Sequence, residues 1–373
     1  MAKTMYELLK IAVEHDASDL HITTYIPPRM RIHGRLKNID HSPLTATETK
    51  DLVYSILSDK QKRLFEERFE IDFSFGIKDM GRFRANVFMQ KGAVAAAFRR
   101  FLPTMWSFSQ LGIPHRIAQL CYLPRGLVLV TGPTGCGKST TLACMMEHIN
   151  SERDVHIVTI EDPIEYYLEP RKAIVNQREL HVDTQSYANA LRSVLREDPD
   201  VVLVGEMRDL ETVEATLRVA ETGHLTFSTL HTNSAVESIS RIIDIFPSQY
   251  QSQVRIMLSM SLEAVITQAL LPRPDGKGRV LAMEILIPNT AVRNLIRENK
   301  IHQVYSAMQM GQEKFGMQTF NQSLAQLYFK RQITLETAMA VTSFPEELTD
   351  IIQRREADPT SQAAARRSSD QKR

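Results

Sequence analysis

The sequence predicts an α/β protein: a doubly wound, mainly parallel sheet preceded by a small α+β domain and followed by C-terminal helices. Three observations carry this reading. From residue 115 onward, short apolar runs alternate with helical patterns, as in a parallel sheet wrapped by helices. A glycine-rich GxxxxGK[ST] loop, residues 132–139, lies between one such run and a helix. The first hundred residues alternate instead with a period of two, the pattern of half-buried strands.

The elements follow in order. Met5, Leu8, Leu9, Ala12 and Val13 fall on one helical face. Short strands come next, punctuated by Pro27 and Pro28. Thr45 and Glu48 form a capping box for a helix carrying Leu52, Val53, Ile56 and Leu57. Phe69, Ile71, Phe73 and Phe75 alternate with polar residues, and 81–88 alternates too, which sets Arg82, Arg84 and Asn86 on one face. Residues 93–101 read as a further strand. Together 1–101 form the small α+β domain, and 102–114, with two prolines and a glycine, reads as a linker.

Residues 115–290 form the second domain, with strands at 126–131, 155–160, 201–204, 225–230 and 279–285. Tyr187, Ala190, Leu191, Val194 and Leu195 mark one helix, and 209–221, closed by Gly223, another. A long helical stretch is expected from Val254 through Met257, Leu258, Leu262, Val265, Ile266, Ala269 and Leu270, with more helices over 291–345. Residues 346–373 read as a disordered tail, since the last twenty have six basic and three acidic side chains and no large hydrophobe.

Composition removes several function classes. Lys and Arg total 45 against 44 Asp and Glu, a net charge of +1, so no general field exists to hold nucleic acid or an anionic membrane. The three cysteines, Cys121, Cys136 and Cys144, build neither a disulfide framework nor a four-cysteine zinc site. The N-terminal segment has charges within its apolar part and no cleavage site, so no signal peptide is expected, and no run reaches the 18 or so apolar residues of a membrane span.

The chemistry is expected along the ends of the strands. In the loop Gly132, Pro133, Thr134, Gly135, Cys136, Gly137, Lys138 and Ser139, backbone N–H groups turn inward around phosphate. Lys138 reaches the β/γ oxygens and the Ser139 hydroxyl ligates Mg²⁺. Glu206 ends the apolar strand 201–204 after Gly205, and serves either as the Mg²⁺ carboxylate or as a base. Glu161, Asp162 and Glu165 end another strand and face either the γ-phosphate or solvent. His224 and His231 bracket a further strand. They read as sensors of the γ-phosphate or as core histidines, and zinc is not expected because no Cys or third His stands at ligand spacing. Arg82, Arg84 and Arg99 each fit an arginine supplied to the transition state or a solvated strand arginine.

GPTGCGKSTT, TIEDPIEYY, VNQRELHVDT, ALRSVLREDPDVVLVGEMRD and AETGHLTFSTLHT together resemble the secretion-ATPase superfamily. Within it the chain is similar to the type IV pilus retraction motors, a likeness running from ASDLHI (17–22) and GRFRANVF (81–88) to AVRNLIREN (291–299) and GMQTFNQSL (316–324). Extension and type II secretion members carry a four-cysteine zinc insertion that this chain cannot make. The resemblance implies a PAS-like N-terminal domain, a RecA-like P-loop domain and a homohexamer that turns ATP hydrolysis into pilus retraction and twitching motility. It implies ATP/ADP at Lys138, Ser139 and Thr140, with Mg²⁺ near Glu206. It implies Glu165 as the group polarising water, His224 and His231 as a histidine box, and Arg82, Arg84 and Arg99 approaching the nucleotide. It further implies an inner-membrane platform partner, in some systems a paralogous retraction ATPase, and a cytoplasmic place at the inner membrane. Two residues depart from the pattern: Cys136 replaces a usual Ser, and Val292 a usual Ile. Three alternatives stay open: an accessory retraction ATPase, a nucleic-acid translocase, and a nucleotide-gated ring without turnover. The translocase finds no support in the neutral charge.

Overall fold

The computed structural model describes residues 3–32, 34–101, 105–311 and 315–357. The chain forms two compact units. One comprises the residues up to Thr104 with Pro163–Tyr167, the other Met105–Asp162 with Leu168 onward.

The first unit runs α1 (Met5–Glu14), β1 (Asp19–Ile22), β2 (Arg29–Ile32), β3 (Arg35–Asn38), α2 (Ala46–Tyr54), α3 (Asp59–Arg68), β4 (Glu70–Ile77), β5 (Gly81–Gln90) and β6 (Ala93–Phe101). Capping boxes at Thr4–Glu7, Thr45–Glu48 and Ser58–Gln61 start its three helices, each cap contributing about 1 kcal/mol. The sheet order is β3-β2-β1-β6-β5-β4, antiparallel throughout. One face buries Leu20, Phe98 and Ala85, which are neighbours in register, with Leu8, Leu9 and Phe65 from the helices. On the alternate positions Arg31, Asp19, Arg99 and Arg84 form a row across four strands. Phe69, expected in the strand, instead caps α3 at φ 62° with an exposed ring, so the alternation begins at Ile71.

The second unit opens with α4 (Phe108–Leu111) and α5 (His115–Gln119), then β7 (Gly126–Thr131), α6 (Lys138–Glu152), β8 (His156–Glu161), β9 (Ile174–Glu179), α7 (Tyr187–Val194), β10 (Val201–Val204), α8 (Leu210–Glu221) and β11 (Leu225–Leu230). It continues with α9 (Ala235–Asp244), α10 (Ser248–Ser261), β12 (Leu262–Pro272), β13 (Arg279–Leu286), α11 (Thr290–Arg297), α12 (Val304–Met310), α13 (Phe320–Phe329), α14 (Leu335–Val341) and α15 (Pro345–Ala357). The order β13-β12-β7-β11-β10-β8-β9 places six parallel strands together, with β13 antiparallel at one edge. Both faces are covered. Leu127 and Leu129 of β7 pack with Leu217 and Ile239, while Val128 and Val130 pack with Met145 and Ile157. Each fully buried aliphatic side chain contributes roughly 1.5–3 kcal/mol.

The structure corrects three expectations. Residues 262–272 are strand β12, not helix. The run fits both periodicities, but β-branched Val265, Ile266 and Thr267 pair in parallel with β7. α10 stops at Ser261, where Arg293 of the AVRNLIREN segment donates to the carbonyls of Ser259 (3.0 Å) and Met260 (3.2 Å). A cation there satisfies the orphan acceptors of a helix C-terminus. The expected tail 346–373 is helical over 346–357. Pro345 opens α15, Glu346 and Glu347 fill its first turn, and Leu348 and Ile352 bury one face; 358–373 lie outside the described residues. Within the expected linker, Ser107 and Gln110 form a capping box for α4, and Ile113 joins the core; 102–104 lie outside the described residues. β9 was not expected, since its lone apolar pair Ile174–Val175 gives little period to read.

Candidate nucleotide site

Because β7, β8, β10 and β11 run parallel, their carboxyl ends share one edge of the sheet, where open α/β folds bind ligands. The glycine loop leaves β7 at this edge. Gly132 has φ 134°, and a Cβ there would lie 2.4 Å from the Gln268 carbonyl oxygen and 2.8 Å from Cys136 Sγ, so only glycine fits. Lys138 folds back on the loop, donating from Nζ to the carbonyls of Gly132 (2.8 Å) and Pro133 (3.2 Å). α6 starts from Gly137 with no side-chain cap, so the positive end of the helix dipole faces the loop. Cys136 is buried, and burial outweighs the nearby Lys138 charge to raise its thiol above the ordinary range. It acts here as a small apolar filler behind the loop.

Glu206 lies just beyond β10, its side chain one-fifth exposed. Burial works to raise its pKa. The hydrogen bond and charge of Arg208 (Nη2 to Oε2, 2.8 Å), with His231 and Lys138, outweigh that and hold the carboxylate ionised. His231, just past β11, places Nε2 3.0 Å from Glu206 Oε1 and Nδ1 3.5 Å from the Thr134 hydroxyl. With Glu206 as acceptor, Nε2 carries the proton. Gly205 sits at a close approach: a Cβ would lie 3.0 Å from the Tyr187 hydroxyl and 3.2 Å from the Ile160 carbonyl oxygen, so a larger residue needs these neighbours to give way. Glu161 Oε1 accepts from the Thr159 hydroxyl (2.7 Å) and Gln177 Nε2 (3.1 Å), which ties the acidic end of β8 to β9.

The structure therefore brings Lys138, Glu206, His231 and Thr134 together. It does not bring His224 there. That residue precedes β11, and six residues at about 3.3 Å each separate it by roughly 20 Å from the loop edge. Its Nδ1 meets the Val219 carbonyl (3.0 Å) and the Thr222 hydroxyl (3.2 Å). The remaining candidates belong to the first unit. Arg82 is buried, donates to Ser74 and to the Tyr167 hydroxyl, and stacks 4.5 Å from the Tyr167 ring centre, in the same Pro163–Tyr167 segment as Glu165. Arg84 and Arg99 are cross-strand neighbours balanced by Asp72 (3.7 Å) and Asp19 (3.0 Å). Sequence reasoning missed Arg208, although it stands two residues after Glu206 within GEMRD, and missed Tyr187 and Tyr167.

Among the described residues, no group of three or more His, Cys, Asp or Glu side chains is arranged to hold a metal ion. Mg²⁺ arriving with nucleotide needs only a hydroxyl and one ionised carboxylate, because phosphates and water complete its octahedron. The oxygen donors Ser139 and Glu206 fit that requirement. Among the described residues, no helix is long and apolar enough to cross a membrane.

Residues 1–340 match the family model described as Type II/IV secretion system protein. The chain is 48% identical over 340 residues to the Type IV pilus retractation ATPase PilT of Pseudomonas aeruginosa, covering 91% of this chain and 98% of that protein. It is 40% identical over 334 residues to the Type IV pilus ATPase PilU of the same organism, covering 90% and 87%. A crystal structure of the pilus retraction motor PilT with bound ADP superposes with a TM-score of 0.88 at 55% identity, covering 94% of this chain and all of that one.

Proposed function

The chain belongs to the Type II/IV secretion system protein family, and from that premise we propose that it is an ATP-hydrolysing motor that powers type IV pilus retraction. The observation that carries the reading is the meeting of Lys138, Glu206 and His231 at the edge where the glycine loop opens. Loop amides and Lys138 hold the phosphates, and Ser139 and Thr140 bind at the head of α6. Ser139, with Glu206 nearby, would hold Mg²⁺, which would supply charge neutralisation to the phosphates. Water attacks the γ-phosphorus as the bond to the β-phosphate oxygen breaks. Glu165 polarises that water, Glu206 orients it, and His231 senses whether the γ-phosphate is present. By the family resemblance, Arg82, Arg84 and Arg99 supply positive charge to the transition state.

The working assembly in this reading is a homohexameric ring at the cytoplasmic face of the inner membrane, acting on a platform protein of the pilus machine. A PilU-type accessory role is the second reading, favoured by the 40% identity over 334 residues. Deleting the gene separates them. A principal motor leaves cells whose pili extend and do not retract, and Lys138→Ala on a plasmid does not restore retraction. Cells that still retract and lose only force against load hold the accessory enzyme.

A further inference from the structure

Glu284 of β13 is an ionisable side chain only 3% exposed, far from solvent and outside the cluster just described. Its Oε1 accepts from the Ala235 N–H at the start of α9 (2.7 Å), and the Phe320 N–H at the start of α13 pulls electrostatically on the same carboxylate. One carboxylate thus closes the first turn of α9 and faces that of α13. A buried ion is often replaceable by a hydrophobe with no loss of stability, so stability alone gives a weak reason for it. What an apolar residue cannot supply is negative charge facing two helix starts at once.

Each helix leads to a different part of the molecule. α9 is reached from His231 by the short loop 232–234, and Thr232 of that loop bonds Ser238 of α9 (2.6 Å). α13 is clamped to β13 on both sides of Glu284. Ile285 and Gln318 exchange backbone hydrogen bonds (2.8 and 2.9 Å), and Met283 N donates to the Ser323 hydroxyl (3.0 Å). Asn321, next to Phe320, donates to Glu347 of α15 (2.7 Å), which also accepts from Tyr305 of α12 (2.6 Å). Glu284 is in register with Thr267, and Thr267 with Thr131, the residue before the glycine loop; the two threonine hydroxyls lie 2.9 Å apart. A buried polar row therefore crosses three strands from the loop to the two helix ends.

We propose that Glu284 is a positioning residue that couples the His231 loop to the C-terminal helices, so that nucleotide state reaches α13, α12 and α15. The proposal rests on the nucleotide-site reading above. Both elements it joins change their exposure together if it holds, because the carboxylate bonds the first amide of α9 and faces that of α13, while its neighbours Met283 and Ile285 bond Ser323 and Gln318.

Hydrogen exchange on the full chain, with Mg²⁺·ADP as probe, tests it. In the unsubstituted protein ADP is expected to slow amides in 132–140, 231–238 and 319–324, each by at least about threefold. In Glu284→Gln, which keeps the shape but turns an amide N–H toward one donor, 132–140 stays protected and 319–324 loses its response. Turnover of that variant falls about tenfold while KM for ATP stays within about twofold. Protection of 132–140 without any response at 319–324 in the unsubstituted protein overturns the coupling and leaves the nucleotide site standing. No protection at 132–140 overturns both. A Glu284→Gln protein with full transmission and full turnover, or one that loses protection everywhere, also overturns it.

Discussion

The two ends of β11 carry the same residue type in different surroundings. At the carboxyl end His231 meets an ionised glutamate 3.0 Å away, within reach of the glycine loop. At the amino end His224 meets a backbone carbonyl and a threonine. Seven positions apart in one motif, the two histidines sit on opposite edges of the sheet. In a parallel sheet the edge, not nearness in sequence, decides which side chains do chemistry together.

Substitutions that break this contrast should fall in a definite order. Lys138→Ala removes charge-assisted bonds to phosphate and should cost about 100-fold or more in nucleotide affinity, read by equilibrium binding of a fluorescent nucleotide. Glu206→Ala should bind nucleotide and lose about 100-fold in turnover. His231→Ala should lose about tenfold in turnover, the value of one hydrogen bond to a charged group. Arg208→Ala should act through Glu206. Without the guanidinium the carboxyl pKa rises, so the acid limb of the pH–rate profile shifts to higher pH while the alkaline limb stays in place. His224→Ala should change turnover per bound nucleotide by no more than about twofold, with about 1 kcal/mol lost in thermal unfolding from the Val219 bond. A His224 effect as large as that of His231 would show that both ends of β11 take part in the chemistry.

A second contrast, between Glu206 and Glu284, sharpens it. Glu206 is held ionised by cations, whereas burial lifts Glu284 to about 7 against the pull of two backbone donors, with Glu347 adding repulsion. The folded chain therefore holds the Glu284 proton more tightly than the unfolded one. Stability from this group is fully present below its unfolded value of about 4.3 and is lost as pH rises toward 7. Across that window it amounts to about 3 kcal/mol, measurable by denaturant unfolding and absent from Glu284→Gln.

Much of this was legible in the residues. The run 126–131 appears as β7 with those bounds, as do 201–204 and 225–230, because fully buried parallel strands are short apolar runs with sharp ends. The glycine loop was legible because its chemistry is local. Residues 262–272 were not, since Leu262, Val265, Ile266 and Ala269 satisfy a helical face and only pairing with β7 decides. Arg84 and Arg99 could be placed on strand faces, but their partners Asp72 and Asp19 come from other strands and leave no trace in spacing. Glu284 was invisible for the same reason, as both its donors lie tens of residues away. The tail helix escaped notice because a surface helix with two buried residues carries little apolar signal.

In the proposed mechanism the carboxyl edge of this sheet hydrolyses ATP through Glu206. Steady-state phosphate release by the purified protein, measured beside Glu206→Ala with nucleotide binding determined in parallel, tests it most directly. The expected result is continuous release by the unsubstituted protein, with a variant that binds nucleotide within about threefold of normal and releases phosphate about 100-fold more slowly. Undiminished release by Glu206→Ala would contradict it.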